Sequence, residues 1–182
     1  MVLADKYPQT RISQLGDASG GYRGMGETRP HEAWGTLEAL SDVSELAEMS
    51  SEEFNFETLY LVAGKRHPEI TFAQFDNAED EVQLRFLDIS GIETKGLAGF
   101  LDANHEDILA GMPNFRYYMP GGEMHTILGR SELYTTNVGG ELFRDWLSQL
   151  VSGEAVKSVR CSACAEAEHV EDPHAPMEEQ PS

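Results

Sequence analysis

Three short apolar segments, each closed by small or polar residues and separated by stretches of helical spacing, constrain this chain more than any other feature. Residues 11–16, Arg-Ile-Ser-Gln-Leu-Gly, read as a strand ending in glycine. Residues 69–75 read as a second strand, ending at Asp76-Asn77, and residues 114–119 as a third, leading into Pro120-Gly121-Gly122. Between them the apolar spacing predicts helices over 54–66 (Phe56, Leu59, Tyr60, Ala63; broken by Pro68), 79–89 and 97–109 (Leu97, Phe100, Leu101, Ile108; ended by Gly111 and Pro113). A helix end over 2–8, an amphipathic stretch over 24–53 (Trp34, Leu37, Leu40, Val43, Leu46), an extended piece over 133–138 and a helix over 141–151 complete the pattern. Strand and helix alternate, with connections long enough for crossovers. That predicts an α/β fold with a mainly parallel sheet flanked by helices.

Open sheets of this kind bind ligands outside the carboxyl ends of their strands. Ser19, the loop 76–80 and His125 each follow one of the three strands, so the topology brings them to one sheet edge. A serine hydroxyl needs a histidine to take its proton, and an acid to hold that histidine's tautomer. The order Ser, Asp, His along the chain is the α/β-hydrolase order. Ser19 sits in a tight small-residue turn, Asp17-Ala18-Ser19-Gly20-Gly21-Tyr22, which matches Gly-x-Ser-x-Gly at Gly21 and carries Asp17 at the earlier glycine position. The plain structural reading makes Ser19 a helix cap.

The acid stays open between Asp76, straight after its strand, and Asp80, which also suits a helix N-cap. Of the histidines, His67 reads as a surface residue at a helix end, His105 as solvated on an acidic helix, and His169 and His174 as tail residues. His31 keeps a site role open, and His125 follows a strand and a Gly-Gly loop, where a catalytic histidine belongs.

The formal charge of −19, from 32 acidic and 13 basic residues, repels phosphate backbones and argues against a nucleic-acid partner. No apolar run reaches the ~18 residues of a membrane helix, and the first residues lack the pattern of a signal peptide. Cys161 and Cys164 are the two cysteines, too close in sequence to staple the fold. With His169 and His174 they have zinc-knuckle-like spacing, but no glycine or aromatic residue structures the loop and the flanks are acidic. The expectation is therefore no metal and no cofactor, with residues 1–160 as the folded segment and 161–182 as an acidic, disordered tail bearing Cys-x-x-Cys.

Several of these blocks are similar to the pectin acetylesterase family, which includes the carboxylesterase Notum. Ala78-Glu79-Asp80-Glu81-Val82-Gln83 resembles its Asp-x-x-Gln acid motif, Ala18-Ser19-Gly20-Gly21 its elbow, and the block from Met119 to Leu128 its histidine region. Tyr134, Trp146-Leu147 and Val159-Arg160-Cys161 resemble its C-terminal end, so the likeness runs in dispersed blocks over roughly residues 5–164. The resemblance implies a serine carboxylic-ester hydrolase. Ser19 is then the nucleophile, Asp80 the acid with Asp76 in reserve, His125 the base, and the Gly20 N–H one oxyanion donor. It implies the C-terminal part of an α/β-hydrolase-type sheet, lacking the N-terminal strands. The expected substrate is a small-molecule or carbohydrate ester, and a bare sheet edge implies a homodimer or a missing N-terminal region. A different class of function is an inert scaffold of this fold acting as a binding module.

Overall fold

The computed structural model describes residues 2–22, 30–165 and 167–170. After a short helix α1 (Val2–Lys6) comes β1 (Ser13–Asp17), and two single-turn helices, α2 (Pro30–Ala33) and α3 (Thr36–Ala39), precede α4 (Phe56–Arg66). Then follow β2 (Thr71–Phe75), α5 (Glu81–Ile89), α6 (Ala98–Gly111) and β3 (Phe115–Met119). A 3-10 turn (Ser131–Tyr134), β4 (Thr136–Val138), β5 (Glu141–Leu142), α7 (Phe143–Ser152), β6 (Val159–Arg160) and β7 (Glu168–His169) complete the described chain.

The main sheet has the order β1-β2-β3-β6, with every pairing parallel. A small antiparallel sheet, β5-β4-β7, lies beside it. The α/β expectation therefore holds at the level of a parallel sheet with flanking helices.

Side-chain alternation along the strands explains the two packed faces. Ala73, Phe75 and Tyr118 point to one face and pack with Phe143, Trp146 and Leu150 of α7. Phe72 and Phe115 point to the other and pack with Ile108 and Met112, with Tyr60 and Leu61 of α4 alongside. A third cluster joins Leu87 of α5 to Leu97, Leu101, Met119 and Cys161. Both helices that flank the strand ends begin with defined chemistry. Asn55 caps α4 in a capping box with Thr58, and Asp80 caps α5 by accepting from Val82 and Gln83 N–H.

Three stretches differ from the sequence expectation. Over 30–53 the helix gives way to single turns, and Trp34 is exposed. The apolar residues there recur every three positions, which steps the stripe back about 60° each time on a helix of 3.6 residues per turn. The backbone follows that period instead, with hydrogen bonds from Val43 N to Leu40 O, Leu46 N to Val43 O and Met49 N to Leu46 O. Residues 23–29 of that stretch lie outside the described residues.

The second difference is the tail: structure continues past 160. Cys161 is buried and disulfide-bonded to Cys164 with a Cα–Cα distance of 5.2 Å, and β7 pairs with β4. With both thiols in the disulfide, the knuckle spacing has no thiolates to offer; His174 and the rest of 171–182 lie outside the described residues. Third, His105 is buried rather than solvated, stacked on Tyr117 at 3.9 Å, because it sits between Leu101 and Ile108 on the inward face of α6.

Candidate active site

Two loops at the carboxyl end of the sheet zip together through their backbones. Ala78 N donates to Pro120 O, Glu79 N to Gly122 O and Glu81 N to Glu123 O, while Asn77 Nδ2 donates to Met124 O at 2.6 Å. This lacing holds the start of α5 against the loop after β3. Its result is a pair: Asp80 Oδ2 lies 2.9 Å and Oδ1 3.1 Å from His125 Nδ1. Asp80 is fully buried, and the His125 side chain is 34% exposed. Asp80 therefore holds α5's first N–H groups and the imidazole at once, so the cap and the acid readings of this residue are both true of its contacts.

The Asp80 contact fixes one ring nitrogen and leaves Nε2 for other chemistry. A groove of about 430 Å³ opens beside His125, lined also by Glu81, Val82, Met124, Arg130, Glu132 and His169. Asp17, placed by the sequence reading only as a departure from the elbow pattern, accepts from Ile127 N at 2.9 Å and Leu128 N at 2.9 Å. It ties the end of β1 to the loop that carries His125. Thr126, directly after His125, has φ 61°, and Ala18, directly before Ser19, has φ 57°. Such φ values are costly for residues with a Cβ, most of all β-branched ones. Strain thus flanks both candidate residues.

Ser19 and Gly20 are placed differently. Ser19 Oγ shares a hydrogen bond with Tyr60 Oη of α4 at 3.1 Å, and among the described residues His125 is not its partner. Gly16 makes this possible: a Cβ there would lie 2.1 Å from Ser19 Oγ and 2.6 Å from Tyr60 Oη. The Gly20 N–H, expected as an oxyanion donor, instead donates to Asp76 Oδ1 at 2.8 Å. Gln83 Nε2 donates to Asp76 Oδ1 at 3.2 Å and to Gly20 O at 2.9 Å. The reserve acid Asp76 is therefore bound to the turn after β1, and the acid that meets His125 is Asp80. Burial pushes the Asp76 carboxyl up to about 7, against the lowering pull of the Gly20 N–H and Gln83. Burial likewise raises the Tyr60 hydroxyl and pushes that of Tyr22 up to about 12.

Among the described residues, His31 and His67 have structural partners. His31 is buried, hydrogen-bonds Ser51 and packs on Phe54 at 4.9 Å; His67 closes α4 and pairs with Glu69. No group of three or more His, Cys, Asp or Glu among the described residues is arranged to hold a metal ion. Also among them, no helix is long and apolar enough to cross a membrane. In comparisons with known proteins, no family model, no curated protein and no solved structure matches this chain.

Proposed function

We propose that this chain carries the acid–base machinery of a carboxylic-ester hydrolase, with His125 as base and then acid, and Asp80 as the residue that orients it. The observation that carries this reading is the buried Asp80 carboxylate on His125 Nδ1, with the imidazole opening onto a groove. Asp80 keeps the ring proton on Nδ1 and stabilises the imidazolium once formed. Nε2 takes a proton from the attacking hydroxyl or water as the new C–O bond forms at the ester carbonyl. The same proton then goes to the leaving alkoxide as the ester C–O bond breaks. The resemblance to pectin acetylesterases adds the substrate class, a small acyl group on a carbohydrate. Ser19 serves as the nucleophile in this scheme only if its hydroxyl exchanges Tyr60 for His125; otherwise water attacks directly.

A second reading, an inert scaffold that binds without turnover, is favoured by one observation. The Ser19 hydroxyl and the Gly20 N–H are both committed to internal partners. Hydrolysis of p-nitrophenyl acetate by the wild type, His125→Ala and Ser19→Ala separates these. The proposal expects His125→Ala at background. Ser19→Ala falls with it for an acyl-enzyme route and keeps turnover for water attack. Wild type no faster than His125→Ala leaves only the inert scaffold.

A further inference from the structure

Behind the candidate site lies a cluster of buried oxygens short of well-aligned donors, with the Tyr60 hydroxyl beside the Gln74 side chain and the Ser19 N–H beside Asp76. Asp76 Oδ2, Gln74 Oε1 and Asn104 Oδ1 have no hydrogen-bond partner, and their residues are 1%, 1% and 3% exposed. All three converge over Gly20: a Cβ built there would meet them at 2.9, 2.9 and 3.0 Å. Three acceptors converging in a buried interior repel one another, and each unpaired one carries a desolvation cost. A single proton on one of them turns one repulsive contact into a hydrogen bond, because a carboxylic acid is a donor where a carboxylate is only an acceptor. Gln74 and Asn104 cannot take that proton. Asp76 can.

We propose that Asp76 is a protonation-dependent latch and a positioning residue for the turn that carries Ser19 and Gly20. As an acid it donates its one Oδ2 proton to the Gln74 or the Asn104 oxygen while Oδ1 holds the Gly20 N–H and Gln83. That clamps the turn after β1 onto β2, α5 and α6 together. As a carboxylate it faces two acceptors with no donor between them, and the clamp loosens. The titratable groups facing Asp76 are Tyr22 from the turn, Tyr60 from α4 and Asp80 at the start of α5. Both tyrosine hydroxyls are held above their ordinary value by burial, so they stay neutral through the range in question. The folded-state rise of Asp76 toward 7 agrees with this geometry.

The inference stands on packing alone and does not need the chain to be a hydrolase. Its test combines a carbon-13 titration of the aspartate carboxyls with urea unfolding of wild type and Asp76→Asn from pH 4 to pH 8. The asparagine amide is isosteric and supplies the missing donor at every pH. Folded Asp76 keeps its proton where the unfolded chain has lost it, so wild-type stability falls as pH rises through the window from about 4 to about 7. The expected result is a carboxyl titrating near neutrality, and a wild-type folding constant that drops relative to Asp76→Asn by up to about tenfold per pH unit across that window. Asp76→Ala, which removes the Gly20 acceptor as well, is less stable than Asp76→Asn throughout. Parallel wild-type and Asp76→Asn curves, or a carboxyl titrating near 4, overturn the latch and mean that the two amides turn their NH2 groups to an ionised Asp76.

Discussion

Two carboxylates four residues apart, Asp76 and Asp80, leave the same strand and end in opposite work. Both are buried. Asp80 faces forward, across the laced loops, and meets a half-exposed histidine beside a groove. Asp76 faces back under the turn after β1, where it accepts from the Gly20 N–H and the Gln83 amide and converges with the Gln74 and Asn104 oxygens. The chemistry of the side chain is identical; the partners decide which carboxylate meets a groove-facing imidazole and which holds the scaffold. One is open to the outside through His125, the other through nothing.

The largest way to break this contrast is to remove Asp80. Asp80→Ala is expected to cut ester turnover by about 10⁴ through loss of the imidazole tautomer and imidazolium stabilisation. The lost cap on α5 costs about 1 kcal/mol in urea unfolding. Equal turnover in Asp80→Ala and wild type erases the division of labour. Asp76→Ala should show the reverse balance, with roughly 1–3 kcal/mol lost in unfolding as the Gly20 N–H loses its acceptor.

His105 sharpens the comparison with the opposite sign. Burial lowers its imidazole to about 4, so it is neutral in the folded chain where the unfolded chain takes up a proton. Stability from this site is present above the ordinary histidine value and is lost as pH falls from about 6.5 toward 4. His105→Phe, which keeps the stack on Tyr117, should remove the gain in melting temperature between about pH 4 and 6.5 and so unmask the opposing fall that Asp76 contributes across the same window. The smallest effect belongs to Arg160→Ala. Its pair with Asp102 lies at the surface at 2.7 Å, and its loss should cost about 0.2–1 kcal/mol and diminish with salt.

The parts of the site that sequence makes legible are those set by position along a strand. The loop 76–80 and His125 follow β2 and β3, and neighbouring parallel strands bring those ends together, but position leaves open which of Asp76 and Asp80 meets the histidine, and only the family resemblance favours Asp80. The 54–66 and 97–109 helices were readable because their apolar residues recur at helical spacing, and Asn55, Pro68 and Pro113 mark their ends. Where the Ser19 hydroxyl points is a different kind of fact. It depends on Tyr60, 41 residues away, and on the room that Gly16 leaves. The Gly20 N–H likewise depends on Asp76, 56 residues on. β6 and β7, two residues each, carry no periodicity to read, and only their partners β3 and β4 define them. His105 was readable in principle: it stands four after Leu101 and three before Ile108, but its acidic neighbours hide that stripe.

The most direct test is the tautomer of His125, read from a long-range proton–nitrogen spectrum of histidine-labelled chain at a pH where the ring is neutral. The account predicts a protonated Nδ1 and a bare Nε2 in the wild type. It also predicts the loss of that preference in Asp80→Ala and its retention in Asp76→Asn. A His125 protonated on Nε2, or one indifferent to Asp80, would contradict the assignment of Asp80 as the carboxylate that prepares this histidine.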